Sequence, residues 1–359
     1  MSKKILIVDD SALMRRVLCD IIDGDERFQV VDSATNGLEA FDLLSKNKYD
    51  AVVLDVNMPK MNGLQLLEEL RKHKISAKVM MASTDTKEGA KTTLDALELG
   101  ALDFIHKPDS AMACRTGEFQ SKLRETLDVV ANSRPAVFTS VNRAQESRQT
   151  AEKVMDLARR FSKNTSGNKI VAIASSTGGP KALQSVIPRL PAGLDAPVLL
   201  VQHMPKGFTA SLADRLNDLS QVKVKEAKEG EELQKGTVYV AMGGMHMNVN
   251  NSGGKCTIHY SDEPSREGVK PCANYMYESL SDSRFDEVVC VVMTGMGADG
   301  TEGIKNLEAK KKVHVISQDQ ESCVVYGMPK SVVNAGLSDQ VVPLDQLAQE
   351  IALNIGVRA

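Results

Sequence analysis

The sequence lacks several features that would each have pointed to a class of protein. It contains no tryptophan, and aromatic residues make up only 4% of its 359 positions. This disfavours binders that stack nucleic-acid bases or sugars on aromatic side chains. No apolar run approaches the roughly 18 residues of a membrane span, and the first ten residues turn acidic too soon for a signal peptide. These absences predict a cytoplasmic protein with no direct membrane insertion.

Charge and cysteine spacing also lack a distinctive signal. Lys and Arg total 44 against 47 for Asp and Glu, a formal net charge of -3, which argues against nucleic acid as a partner. The six cysteines are widely separated and contain no C-x-x-C pair. We therefore expect reduced thiols rather than a zinc site or a disulfide framework.

What the sequence does contain is a globular composition, with 42% hydrophobic and 25% charged residues, over a length that suggests about two domains. Along residues 1–131, short apolar runs alternate with segments of helical periodicity. This pattern predicts an α/β fold that begins with a (βα)5 domain. The predicted strands are Lys4–Val8, Val30–Ala34, Ala51–Leu54, Val79–Ala82 and Leu102–Ile105.

Residues 132–168 hold few large apolar side chains and are predicted to be a linker. Four apolar residues within it recur at helical spacing and predict one amphipathic helix that packs on a neighbouring domain; they are Val154, Leu157, Ala158 and Phe161. Alternation resumes over residues 169–357 and predicts a doubly wound, mainly parallel α/β domain with a hairpin within Met245–Tyr260. Its predicted strands are Ile170–Ala174, Val198–Val201, Val222–Val224, Val238–Met242, Val288–Met293 and Val313–Ser317.

Carboxylates follow two strands of the first predicted sheet. Asp9 and Asp10 come after the first strand and Asp55 after the third, so they should meet at the carboxyl edge of the sheet. An all-oxygen cluster of like charges favours a bound Mg²⁺. Ser83 and Lys107 follow the fourth and fifth strands, where a hydroxyl and an ammonium suit a phosphoryl group. Each residue alone is also typical of a helix cap or of a solvent-facing lysine.

Together these residues resemble the receiver domain of bacterial response regulators. The resemblance rests on Asp9-Asp10, on the run Asp55–Pro59, on Ser83 and on His106-Lys107-Pro108. It implies that a histidine kinase phosphorylates Asp55 and that Ser83 and Lys107 bind the acyl phosphate. It also implies that Asp9, Asp10, Asp55 and the backbone carbonyl of Asn57 hold Mg²⁺, and that Phe104 is the aromatic residue that repacks on activation.

In the second half, Ser176 follows a strand and precedes a Gly-Gly turn, as a nucleophile elbow would. The pattern is imperfect because Ala174 replaces the usual glycine, and such a turn also binds phosphate or simply joins a strand to a helix. Dinucleotide binding is less favoured because no G-x-G-x-x-G is present. His203 and Asp299 follow two further strands, so the three side chains could form a Ser-His-Asp triad. Taken singly, His203 could also be a structural histidine and Asp299 could belong to an ordinary loop turn.

Four segments are similar to the chemotaxis protein-glutamate methylesterase family, CheB; they are Ala174–Gly179, Gln202–Pro205, Thr294–Gly300 and Cys323–Pro329. The resemblance implies that Ser176 is the nucleophile, His203 the general base and Asp299 the residue that orients it. It also implies an oxyanion hole formed by the backbone N–H groups of Thr177 and Met296, with no cofactor at the esterase site.

This family resemblance implies the function and the partners. The activity would be phosphorylation-controlled removal of methyl groups from glutamate γ-methyl esters of methyl-accepting chemoreceptors, with release of methanol and a second activity that deamidates receptor glutamines. The kinase would be the chemotaxis histidine kinase of the CheA type, and the protein would be recruited to receptor arrays. Without phosphate, the receiver is expected to cover the Ser176 edge.

Some positions depart from the family pattern, namely Ala174, Ser175, Lys206, Gly244, Met245, Cys272 and Asn274. We expect them to affect substrate contacts and to leave the triad untouched. They also motivate an alternative function, a catalytically degenerate receiver scaffold that only binds receptors or signalling partners. A transcription factor is disfavoured because the second half has no helix-turn-helix signature.

Overall fold

The computed structural model describes residues 2–83, 87–108, 113–133, 143–161 and 167–357. The chain divides into two compact units, residues 1–140 and 141–359. Parts of the predicted linker, residues 134–142 and 162–166, lie outside the described residues. The predicted boundaries after residues 131 and 168 stay predictions.

The first unit is a parallel five-stranded sheet with strand order β2-β1-β3-β4-β5. Strands β3 and β4 are buried along their whole length, as expected of parallel strands covered by helices on both faces. The predicted (βα)5 order is therefore confirmed. Its strands are β1 Lys3–Val8, β2 Phe28–Ala34, β3 Ala51–Asp55, β4 Val79–Ser83 and β5 Asp103–His106; its helices are α1 Ala12–Asp23, α2 Gly37–Lys46, α3 Gly63–Lys72, α4 Lys87–Leu99 and α5 Gly117–Asn132.

Polar caps begin the helices that follow the first and third strands. The Ser11 hydroxyl accepts a hydrogen bond from the Met14 N–H at the start of α1. Asn62 and Gln65 form a capping box at the start of α3. Such caps satisfy N–H groups that have no partner within a helix, at about 1 kcal/mol each. They fix where each helix begins after the acidic strand ends.

The second unit contains a parallel sheet whose strand order is β14-β13-β12-β6-β7-β9-β8. The predicted hairpin is also present, with β10 and β11 antiparallel. The strands are β6 Lys169–Ser175, β7 Val198–Gln202, β8 Lys223–Glu226, β9 Thr237–Val240, β10 His246–Ser252, β11 Lys255–Ser261, β12 Glu287–Val292, β13 Lys312–Gln318 and β14 Gln340–Val342; the helices are α6 Arg143–Phe161, α7 Gly179–Val186, α8 Phe208–Leu219, α9 Ala273–Ser279, α10 Thr301–Glu308, α11 Met328–Asn334 and α12 Leu347–Ile355.

Strand β14 was not predicted, because a three-residue edge strand carries too little pattern to detect. The predicted amphipathic helix is α6, and it packs within the second unit. Val154 and Ala158 of α6 form a buried cluster with Ala352 of α12. The helix expected in the linker thus extends the core of the C-terminal unit.

Each sheet has a point where the chain reverses its direction of winding. In the first sheet it lies between β1 and β3, and in the second between β6 and β12. Ligands in open α/β sheets bind beyond the strand ends at such points. Tyr277 of α9 lies beneath the second sheet, fully buried, and its hydroxyl lies 3.2 Å from the Val291 carbonyl oxygen. This anchors α9 directly under the strands that carry the candidate triad.

Two further features concern apolar helices and cysteines. Within the described residues, no helix has both the length and the apolar character needed to cross a membrane. All six cysteines lie in the described part of the chain, and each is a free thiol.

Candidate active site and candidate phosphorylation site

The turn after β6 is held between its two neighbouring strands. The backbone N–H of Ser176 donates to the Thr294 carbonyl, 3.0 Å away, and the N–H of His203 donates to the Ser175 carbonyl at 3.1 Å. Residues after β6, β7 and β12 therefore meet at one place. This is the convergence that parallel strand order predicts for the three segments.

The geometry of the turn requires glycine at position 178. Gly178 has φ of +76°, and a Cβ there would lie 2.7 Å from the Cβ of Val324. Both the left-handed conformation and the lack of space exclude larger residues. Gly178 is the N-cap of α7, and the turn before it leaves Ser176 half-buried and accessible at the edge of the sheet.

His203 and Asp299 form a close buried pair. The Nε2 atom of His203 lies 2.7 Å from Asp299 Oδ2, and the side chains are 7% and 2% exposed. A carboxylate accepts hydrogen bonds, so Nε2 carries a proton, and in the neutral ring Nδ1 then offers its lone pair. The histidine is thus arranged as a base through Nδ1.

Asp299 also accepts three hydrogen bonds from the start of α9. Its Oδ1 accepts from the Cys272 thiol at 3.0 Å and from the Asn274 N–H at 2.9 Å, while Oδ2 accepts from the Ala273 N–H at 2.7 Å. Burial raises the pKa of Asp299, but the hydrogen bond and electrostatic interaction with His203, together with the hydrogen bonds from Cys272 and Ala273, outweigh it and hold the pKa below its usual value. Asp299 is therefore ionised.

Our expectation that the departures leave the triad untouched is wrong for Cys272. Its thiol contacts Asp299 directly, because α9 places its N-terminus under the carboxylate. Asn274 contacts Asp299 through its backbone N–H, and its side chain acts one step further away. Its Oδ1 accepts from the N–H groups of Gly300 and Gly303, which ties the residues after Asp299 to the same helix.

Two backbone N–H groups near Ser176 have no acceptor in the described residues. These belong to Thr177 and Met296, the two groups expected to bind an oxyanion. Ser176, the third residue of the expected triad, makes no hydrogen bond from its Oγ to His203 within the described chain. Hydrogen bonds of this kind are often long in ligand-free structures and tighten when substrate binds.

In the first unit, the expected acidic residues do converge. Carboxylate oxygens of Asp9, Asp10 and Asp55 lie within 4.8 Å of one another. Asp9 and Asp55 are buried and Asp10 is exposed. Oxygen ligands at this spacing, open to water on one side, fit Mg²⁺.

Lys107 lies within the same cluster. Its Nζ is 2.7 Å from Asp55 Oδ1 and 3.0 Å from Asp9 Oδ2, with 7% of the side chain exposed. Burial raises the pKa of Asp55 above its usual value. Burial alone would lower the pKa of Lys107, but the two carboxylates raise it. One ammonium facing two or three carboxylates leaves excess negative charge, which is the condition that attracts a divalent cation.

The remaining predicted residues of this site, Ser83, Asn57 and Phe104, lie around the acidic cluster. Ser83 is buried, and its hydroxyl lies 3.4 Å from the Gly89 carbonyl. Asn57 is exposed beyond β3, and Phe104 is partly buried on β5. Ser83 therefore lies at the expected strand end with its hydroxyl directed to α4.

Comparison with known proteins decides the family. The sequence profile described as CheB methylesterase matches residues 171–351, and the profile described as response regulator receiver domain matches residues 5–115. The chain belongs to the CheB methylesterase family. Two similar proteins carry the name protein-glutamate methylesterase/protein-glutamine glutaminase. The one from Geobacillus kaustophilus is 40% identical over 98% of this chain and 99% of its own length, and the one from Bacillus subtilis is 41% identical over 97% of each.

Among solved structures, the CheB methylesterase catalytic domain of Thermotoga maritima is similar to this CheB-family chain. It is 40% identical, with a TM-score of 0.50 over 51% of this chain and 97% of that one. The family profiles and the parallel sheets confirm the predicted fold class, a receiver domain followed by a methylesterase domain.

Sequence reasoning missed two contributors to the site of this CheB-family chain. Gln202 accepts from the Ser175 hydroxyl at 2.7 Å and donates to the Ser176 carbonyl at 2.9 Å, so it holds the turn. Its position next to His203 was a detectable signal. Cys272 was noted only as a departure, and nothing in the sequence placed it under Asp299.

Proposed function

We propose that this chain is a phosphorylation-controlled protein-glutamate methylesterase that hydrolyses glutamate γ-methyl esters of chemoreceptors. A second activity, deamidation of receptor glutamines, uses the same residues. The observation that carries the proposal is the His203–Asp299 pair, 2.7 Å apart beside the Ser176 turn. Two similar proteins bear both activities in their names, which favours an enzyme over a degenerate scaffold.

In the proposed first step, His203 Nδ1 removes the proton of Ser176 Oγ while that oxygen attacks the ester carbonyl carbon. The N–H groups of Thr177 and Met296 donate to the oxyanion that forms. Asp299 keeps the imidazole oriented and stabilises its positive charge. The imidazolium then gives its proton to the methoxy oxygen, and methanol leaves an acyl-enzyme on Ser176.

The second step reverses these roles. Water attacks the acyl carbon and gives its proton to His203 Nδ1, and Ser176 Oγ leaves and takes the proton back. The product is the glutamate carboxylate. With a glutamine side chain as substrate, ammonia replaces methanol as the leaving group, and the remaining steps are the same. No cofactor is required at this site.

For the first unit we propose that Asp55 accepts a phosphoryl group from a chemotaxis histidine kinase. Asp9, Asp10, Asp55 and the Asn57 carbonyl would hold Mg²⁺, which neutralises charge on the transferring group. Lys107, now paired with Asp55, and Ser83 would donate to the phosphate oxygens. The added charge would shift the receiver between two states and thereby control hydrolysis at Ser176.

We propose that the protein acts in the cytoplasm, where it is recruited to receptor arrays. Its partners are then two protein surfaces, the kinase and the cytoplasmic helices of methyl-accepting chemoreceptors. The small formal net charge of -3 is compatible with protein partners.

The test is methanol release from methylated receptor membranes by the full chain, with and without acetyl phosphate and Mg²⁺. We expect release that rises with the phosphoryl donor and is lost in Ser176→Ala. Ser185→Ala is the matched control, since Ser185 lies on α7 and its hydroxyl donates to the Lys181 carbonyl, away from the triad. A Ser176→Ala variant that releases methanol as fast as the wild type would rule out the proposed nucleophile. No release in either condition would favour the scaffold.

A further inference from the structure

The departure at position 272 places a thiol against the carboxylate of the triad. Cys272 is fully buried, and its Sγ lies 3.0 Å from Asp299 Oδ1. On the opposite oxygen, Asp299 accepts from His203. Cys272 and His203 therefore hold the two ends of one carboxylate.

Cys272 is itself held from behind by a second buried histidine. The Cys272 N–H donates to His246 Nδ1 at 3.2 Å, and His246 Nε2 lies 3.2 Å from the Glu263 carbonyl. An acceptor role for Nδ1 leaves the proton on Nε2, so His246 is neutral. The His246 ring packs on Tyr275, with centroids 4.5 Å apart. The position of the thiol is thus set by packed groups.

The thiol is poised to donate rather than to ionise. Burial, followed by the charge of Asp299, raises the pKa of Cys272 far above that of a free thiol. The backbone of Cys272 is held by His246, and its protonated thiol faces a carboxylate that can accept its hydrogen. The acceptor atom is Asp299 Oδ1.

We propose that Cys272 is a positioning residue for the methylesterase reaction, acting through Asp299 on the orientation and basicity of His203. The proposal rests on the proposed function for its kinetic consequence, although the geometry of the Asp299–His203 pair can be observed separately. Removing the thiol takes away one hydrogen-bond donor to Oδ1. The carboxylate then carries more charge density toward His203, which makes the imidazole more basic, and it is also held less firmly in place.

The kinetic test compares Cys272→Ala with Cys272→Ser in the full chain. We expect the alanine variant to lose roughly ten-fold in kcat, equivalent to about 1.4 kcal/mol of transition-state stabilisation, with KM unchanged. The acid limb of its pH–rate profile should move to higher pH. The serine variant restores a hydroxyl donor, so it should recover most of kcat.

The matched control is Cys256→Ala. Cys256 is another fully buried thiol, but its Sγ contacts Asn251 within the hairpin. It reports the cost of deleting a buried sulfur without touching the triad, so kcat should be unchanged. Equal losses of kcat in both alanine variants would show a general packing effect and overturn the proposal, as would no loss in Cys272→Ala.

A second readout does not depend on activity. The proton on His203 Nε2, in protein with ¹⁵N-labelled histidine, should give a low-field NMR resonance that is absent in His203→Gln. We expect this resonance to move in Cys272→Ala, to return in Cys272→Ser and to stay in place in Cys256→Ala. An unmoved resonance would refute the positioning role. If the wild type releases no methanol, the proposed function fails, and the resonance still decides this inference.

Discussion

Replacing Asp299 with asparagine tests whether its carboxylate holds the loop together as well as serving the reaction. In the part of the chain that the structure describes, Asp299 accepts four hydrogen bonds, two on each carboxylate oxygen. An asparagine side chain has only one acceptor oxygen, so its NH₂ group must face two donors wherever it points. The substitution therefore conflicts with the surroundings in either rotamer.

The expected cost follows from which donors can adapt. The Cys272 thiol and the His203 ring can each turn an acceptor toward an NH₂ group, but the backbone N–H groups of Ala273 and Asn274 cannot. At least one buried N–H is left without a partner, at about 1–3 kcal/mol, and the other bonds lose their charge-assisted strength. We expect a total of about 2–4 kcal/mol, which lowers the melting temperature of this unit by roughly 5–15 °C.

The assay is differential scanning calorimetry of the full chain, with the transition of the second unit followed separately. Ser176→Ala is the matched control, because Ser176 Oγ makes no hydrogen bond in the described residues and its loss should change stability by less than about 0.5 kcal/mol. Both variants should lose hydrolysis, and only one should lose stability. An Asp299→Asn protein that melts within about 2 °C of the wild type would refute the structural role assigned to the four donors.

Two further predictions concern buried charge. In EDTA, Lys107→Met should lower the free energy of unfolding of the receiver unit by about 3 kcal/mol, and with it the melting temperature, because two buried carboxylates lose their ammonium. Mg²⁺ should restore part of the lost stability. Identical melting of variant and wild type in EDTA would contradict this prediction. Burial lowers the pKa of His246 in the folded protein from 6.5, its value in an unfolded chain. As pH falls below 6.5, this histidine is protonated in the unfolded chain before it is protonated in the folded one, so the free energy of unfolding decreases. We expect a larger drop in melting temperature between about pH 7.5 and 5.5 for the wild type than for His246→Gln, and equal drops would exclude this role for His246.

Much of the fold was predictable because it depends on local patterns. Buried parallel strands read as short apolar runs, and the helices between them read as amphipathic segments, which is why β3 and β4 were found within one residue. Strand β14 was missed because three residues at a sheet edge carry no such pattern. The packing of α6 on α12 was beyond the sequence, since periodicity shows that a helix has an apolar face and not what covers it.

The candidate sites divide in the same way. Carboxylates, a serine and a histidine at strand ends can be recognised from sequence patterns, and parallel strands bring such ends to one edge. Which atoms meet at that edge depends on the packing of the folded chain. The packing joins His203 through Nε2 to Asp299, which leaves Nδ1 as the ring nitrogen that could act as a base. It also places the Cys272 thiol under the same carboxylate. These contacts join residues that are far apart in the sequence and are brought together by the packing of α9. Contacts between such distant positions produce no periodic pattern that a sequence would reveal.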